Sequence, residues 1–189
     1  MNLIQKIALP CFCDVRSGKI KKIKAIEAKD FVRFDLPYYT VPTPAAAYTM
    51  RAADIEIRDG AKVFEWICQT NLSQHDEAMA SSEHTEYFNQ SIGFDFSGIN
   101  ETYLSWLYEL RGKDWVVFYE NKNEKVRVVG TPEQPMKLTG SFTSNKSQRS
   151  SFGFVGQTVK PSPFVEVYDN AVLFANTSII STALDYTYI

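Results

Sequence analysis

A mainly β architecture, a β-sandwich or barrel-like sheet with one short α-helix at about residues 100–111, follows from three features of the 189-residue sequence. Thirteen Phe, ten Tyr and three Trp give it the aromatic content that suits a pleated, half-buried surface. Several windows alternate apolar and polar residues with period two, the signature of a strand with one buried face. A single window, INETYLSWLYELRGK, follows the helical period instead. The length suits one sizeable core, and no linker-like stretch divides it, so residues 1–189 are expected to form a single domain.

From the amino end, residues 19–34 (KIKKIKAIEAKDFVRF) mix Ile20, Ile23 and Ile26 at near-helical spacing with an extended FVRF. The lysines Lys19, Lys21, Lys22 and Lys24 read as the solvated face of that element. Residues 35–50 (DLPYYTVPTPAAAYTM) form an extended arm or long loop, because Pro37, Pro42 and Pro44 remove backbone donors and hold their neighbours out of the helical region. Its aromatic and apolar content exceeds that of a merely solvated segment, and Pro37, Tyr38, Tyr39, Val41, Pro42, Pro44 and Tyr48 are the expected contacts to another chain. ADIEIR and AKVFEWICQ, separated by Arg-Asp-Gly, predict a hairpin, with Phe64, Trp66 and Cys68 on one side of the second strand and Val63 and Ile67 on the other. Residues 70–84 (TNLSQHDEAMASSEH) read as a polar loop with no strand pattern.

EYFNQSIGFDFSG predicts a long strand with Phe88, Gln90, Ile92, Phe94 and Phe96 on one face. The helix that follows has Tyr103, Trp106, Leu107 and Leu110 on its stripe, Asn100 as N-cap, Arg111 in the last turn and Gly112 just past the end. DWVVFY and KVRVV, joined by ENKNE, predict a second hairpin. Further strands are expected at MKLTGSF, SFGFVGQTV, FVEVY and AVLFA, with the Ser-rich residues 143–151 as an exposed hairpin tip. In VRVVGTPEQPMKLTG, Gly130 permits a tight exit, while Pro132 and Pro135 set an extended connection before the next strand. Thr131, Glu133 and Gln134 need no ligand to explain them.

Charge and motifs narrow the function. A net charge of -2 offers no cationic field, so nucleic acid is not expected as the main partner. No window has the apolar length of a membrane helix, and the amino terminus lacks the apolar core of a signal peptide. Three cysteines, Cys11, Cys13 and Cys68, fit reduced thiols in a cytoplasmic setting. His75 and His84 do not stand in HExxH order, and no CxxC pair accompanies them, so no metal and no cofactor are expected. Nucleophile elbows and glycine-rich phosphate loops are missing. Asp76, Glu77, Glu83 and Glu86 read as a solvated acidic region, with a hydrolase using His75, Asp76 or Glu77 as a competing class. A carbohydrate-binding β-sandwich is the alternative to an assembly protein, with Tyr38, Tyr39, Tyr48, Trp106 and Trp115 as its stacking residues.

Over roughly residues 85–168, the succession EYFNQSIGFDFSG, LYELRGK, DWVVFY, VVGTPEQP and SFGFVGQTVKPSPF resembles the structural proteins of bacteriophage tails, in particular tail tube and related virion proteins of phages and prophages. The first 60 residues lie outside that resemblance. It implies a β-sandwich or barrel-like sheet with a flanking helix, and subunits that join into rings, often sixfold, stacked as a tube. It further implies a protein that is not an enzyme, whose partners are copies of itself and other virion proteins, located in the virion and in the host cytoplasm before assembly.

Overall fold

The computed structural model describes residues 19–37, 48–68, 73–82, 85–97, 101–142, 149–166 and 170–184. In chain order the strands are β1 (Ile20–Glu27), β2 (Phe31–Phe34), β3 (Thr49–Met50), β4 (Ile55–Ile57), β5 (Lys62–Cys68), β6 (Gln74–Ser81) and β7 (Glu86–Ser97). Helix α1 (Glu101–Leu110) follows, then β8 (Asp114–Asn121), β9 (Val126–Val129), β10 (Met136–Phe142), β11 (Arg149–Thr158), β12 (Phe164–Val165), the single-turn α2 (Asn170–Leu173) and β13 (Ser178–Leu184). The protein is mainly β, as its alternation requires, with very little helix.

One sheet carries the fold, in the order β13-β5-β1-β8-β10-β11-β7-β6, with β9, β12 and β3 branching from β8. Its ladders are antiparallel except for β13 on β5 and β12 on β3. The sheet curls. Trp66 of β5 lies 5.6 Å from Phe94 of β7 and 6.0 Å from Phe154 of β11, ring centroid to ring centroid, although several strands separate them in the order. The aromatics chosen for strand propensity thus fill the space inside the curl, together with Ile23, Trp115 and Met136. Leu107 and Leu110 of α1 pack on that core, and the Trp115 indole N–H closes the helix end by donating to the Leu110 carbonyl at 3.1 Å. Gly112 takes a left-handed φ of 76°, the C′ role its position predicts.

A second core lies on the other face of the sheet. Ile26, Val63, Val116, Phe118 and Val128 meet a thin outer layer made of the β2–β4 pair, Met50 and Phe174. Strand β5 therefore buries both faces, with Phe64, Trp66 and Cys68 toward one core and Val63 toward the other, while Ile67 is exposed.

Five expectations need correction. β4 and β5 do not form a hairpin: β4 pairs with β2, and β5 pairs with β1 and β13. The Arg-Asp-Gly turn, closed by Ala61 N–H to the Arg58 carbonyl at 3.1 Å, carries the chain between layers. Residues 74–81 are not loop but an eight-residue strand paired with β7. AVLFA is not a strand; α2 covers Asn170–Leu173 and buries Leu173 and Phe174 against the outer core. The strand β13 lies in a stretch with no strand expectation. Lys24 is not solvated: it is fully buried on the outer face of β1, its ammonium 3.6 Å from Glu65 and 4.0 Å from the centre of the Phe174 ring.

The 126–140 segment makes a fork. Val129 pairs with Val117, and Met136 pairs with Trp115, so β9 and β10 are two halves of one strand beside β8, parted by the excursion 130–135. Gly130 begins the excursion at φ 76°, and a Cβ there would stand 2.8 Å from the Met136 Cγ and 3.3 Å from the Trp115 carbonyl oxygen. The left-handed backbone alone costs an L-residue about 1–2 kcal/mol. Gly130→Ala is expected to lower Tm by at least about 2 °C in a thermal melt.

Candidate functional site

Where the curl nears closure, β6 meets β8 and β9 through side chains rather than a ladder. Alternation puts His75 and Glu77 on the same face of β6. The Glu77 carboxylate accepts from the Arg127 guanidinium of β9 at 2.7 Å, from the Gln90 amide of β7 at 2.9 Å and from the Ser162 backbone N–H at 2.7 Å. Arg127 also donates to the Ser162 carbonyl at 2.8 Å, and its guanidinium lies 5.2 Å over the Phe164 ring. His75 stacks beside Tyr119 of β8, with Nδ1 and the phenol oxygen 2.9 Å apart. At the start of β6 the Ile20 N–H reaches the Ser73 carbonyl at 3.3 Å.

Electrostatics follow from this packing. Burial pushes the Glu77 carboxyl up, but the Ser162 N–H and Arg127 outweigh it and hold the pKa below the usual range. Burial, aided by the nearby Arg127 charge and opposed by Glu77 and Asp76, lowers His75 to about 4. Burial also raises Tyr119, against the opposing effect of Arg127. Neutral imidazole beside phenol, and carboxylate against guanidinium, make this junction a clamp that fixes β6 to the body of the fold.

Acid should load the clamp. The unfolded chain binds a proton at His75 near pH 6.5, while the folded chain resists until about 4, so stability falls as pH drops through that window. His75→Phe keeps an aromatic ring against Tyr119 and removes the titration. Its stability, from urea midpoints at pH 7, 5.5 and 4, is expected to fall less steeply with acid than that of the parent.

Beside the clamp lies a half-open cleft of about 240 Å³. Thr131, Glu133 and Gln134 form one wall, and Val159, Lys160 and Pro161 the other. Gln134 braces the two, its amide oxygen accepting the Val159 N–H at 2.9 Å, and its N–H bonds the Thr131 hydroxyl at 2.9 Å.

The other candidate residues scatter. Tyr38, Tyr39, Val41, Pro42 and Pro44 lie outside the described residues, as do Cys11, Cys13, Glu83 and His84. At the ends of that arm, Pro37 is half-buried and Tyr48 exposed. Asp76 is on the opposite face from Glu77 and accepts from Gln74 at 3.0 Å, and Glu86 sits at the far end of the ladder opposite Ser81. The acidic region is therefore split, with Glu77 drawn inside. Trp115, an expected sugar platform, is wholly buried in the core. Cys68 is buried too, and burial, partly offset by Ser73, pushes its thiol up to about 11. Among the described residues no three His, Cys, Asp or Glu side chains group as metal ligands. No described helix is long and apolar enough to cross a membrane.

Missed by pattern reading were Arg127, Gln90, Tyr119 and Ser162. The available signal was the alternation of His75 and Glu77 in a stretch whose inward residues happen to be polar. Compared with known families, characterised proteins and solved structures, the chain matches none.

Proposed function

We propose that this chain is a virion structural subunit of the phage tail tube kind, which acts by joining copies of itself into a ring or tube and is not an enzyme. The observation that carries the reading is the open end of the sheet. β6 is paired with β7 through eight successive residues, and no described strand pairs with its other side. An exposed strand edge is a template for another chain. The clamp of Glu77 and Arg127 holds that edge straight, so little order has to be gained when a partner adds to it. The arm at 35–50 supplies a second adhesive element in this reading, packing on an adjacent copy, with other virion proteins as further partners. Such a subunit resides in the virion, and in the host cytoplasm until it assembles.

The test is the size of the full chain. Light scattering over a hundredfold concentration range, with negative-stain imaging at the upper end, is expected to show growth into rings or short tubes. A protein that stays monomeric throughout, with no ordered particles in the images, overturns the proposal.

A further inference from the structure

We infer that β6 pairs with β6 of a second copy, antiparallel, about a twofold axis at Met79. This inference rests on the assembly reading and names one surface and one partner for it.

The backbone fixes which residues face the open edge. Ser82 N–H bonds the Thr85 carbonyl at 2.8 Å across the turn between β6 and β7. In an antiparallel ladder, hydrogen-bonded and non-bonded positions alternate. Even-numbered residues of β6 therefore turn their N–H and C=O groups toward β7, and Ser73, His75, Glu77, Met79 and Ser81 turn theirs outward. The Ser73 carbonyl confirms the parity, since it accepts the Ile20 N–H on that outer side. Beyond this contact no described strand pairs with the edge.

Sheet edges are commonly blunted by Pro, Lys or a bulge. β6 (QHDEAMAS) has neither residue, and its register with β7 runs without a shift. Instead it displays Met79, 68% exposed, between the small residues Ala78 and Ala80. An isolated apolar side chain needs no explanation. One at the centre of an edge without Pro, Lys or a bulge, with its own N–H and C=O pointing outward, does.

Self-pairing has few allowed registers, because outward-facing residues must meet outward-facing residues. An axis at Glu77 brings two Glu77 residues, each already held by its own Arg127, side by side and sets Met79 opposite the partner's His75. One at Ala78 puts Met79 opposite the partner's Glu77, and one at Ala80 slides the strands apart and shortens the ladder. The axis at Met79 sets Met79 beside the partner's Met79, Ala78 opposite the partner's Ala80, Glu77 opposite the partner's Ser81 and Asp76 opposite the partner's Ser82. The exposed Asp76 then faces a hydroxyl, Glu77 keeps its own Arg127, the two acidic ends lie far apart, and the thioethers cover each other. The sequence DEAMASS is self-complementary in this one arrangement.

The test uses the full chain with Cys11 and Cys13 changed to Ser. Met79→Cys places the two thiols at a hydrogen-bonded pair, with Cα atoms about 5.5 Å apart, within disulfide reach. Mild oxidation is expected to convert most of this variant to a covalent dimer. Asp76→Cys, which faces Ser82, is expected to remain mostly uncrosslinked. Met79→Glu, at a surface position that leaves folding intact by far-UV circular dichroism, is expected to weaken dimerisation at least tenfold in sedimentation. If the parent self-associates while Met79→Cys stays uncrosslinked and Met79→Glu associates like the parent, the β6 contact is wrong and assembly proceeds elsewhere. Crosslinking at residue 79 without larger particles keeps the β6 pair and removes the ring or tube. A monomeric parent with no crosslink removes both.

Discussion

Lys24→Met is expected to destabilise the protein by about 3 kcal/mol or more, read as a shift in urea midpoint at unchanged slope. The side chain lies wholly inside the outer core, and its ammonium stands 3.6 Å from Glu65 and 4.0 Å from the Phe174 ring. Methionine fills the same space but takes the ammonium away from the buried Glu65 carboxylate, whose contact to the half-buried Lys22 is longer, at 3.8 Å. Breaking a buried pair strands a charge, whereas removing both charges does not. Lys24→Met with Glu65→Leu is accordingly expected to recover most of the loss. The titration has its own sign. Burial lowers Lys24 to about 8 against the pull of Glu65, so between pH 8 and 10.5 the unfolded chain holds more protons and stability rises with pH. The gap between the parent and Lys24→Met should therefore widen over that range.

Glu77→Ala is expected to cost about 3 kcal/mol and to loosen β6 selectively. One carboxylate satisfies Arg127, the Gln90 amide and the Ser162 N–H, and its removal takes the acceptor from the Gln90 amide and the Ser162 N–H and the counter-charge from Arg127 in a poorly solvated junction. Amide hydrogen exchange should quicken in β6 far more than in β8 or β1, whose ladders do not depend on the clamp. Glu77→Gln retains an acceptor for Ser162 and should lose less. Because the folded carboxyl titrates below its usual range, this stabilisation is present above the unfolded pKa and disappears as pH falls through the folded one. Uniform protection of β6 in Glu77→Ala would show that the ladder to β7 suffices to hold the strand.

Much of the sheet could be read directly from the residues, wherever burial and polarity agree. β7 alternates Gln90, Ile92 and Phe94 inward, α1 follows its stripe and its closing glycine, and the β8–β9 hairpin turns where ENKNE stands. The readings fail where a polar residue occupies an inward position. His75 and Glu77 face in, so β6 resembles a loop, and Lys24 faces in, so its strand resembles a solvated face. Polar interiors depend on partners far along the chain, Arg127 for Glu77 and Phe174 for Lys24, and no local pattern announces such partners. The Arg-Asp-Gly turn misled for a related reason. Its chemistry specifies a reversal, but whether the flanking strands pair is decided by Val63 and Phe64, which find separate cores. For the candidate site the carboxylates were visible as residue types, and their convergence was not.

The parallel docking of β13 on β5, Ser178 beside Lys62 through Leu184 beside Cys68, bears on how the protein is made. A strand that leaves the ribosome long after β5 has to find it again, and contacts so distant in sequence form slowly. Until then β5 waits with one flank bare and Trp66 without that cover, a state inviting premature association of nascent chains. Truncation ahead of Ser178 would prolong this exposure indefinitely, so prematurely terminated translation products should accumulate as insoluble material.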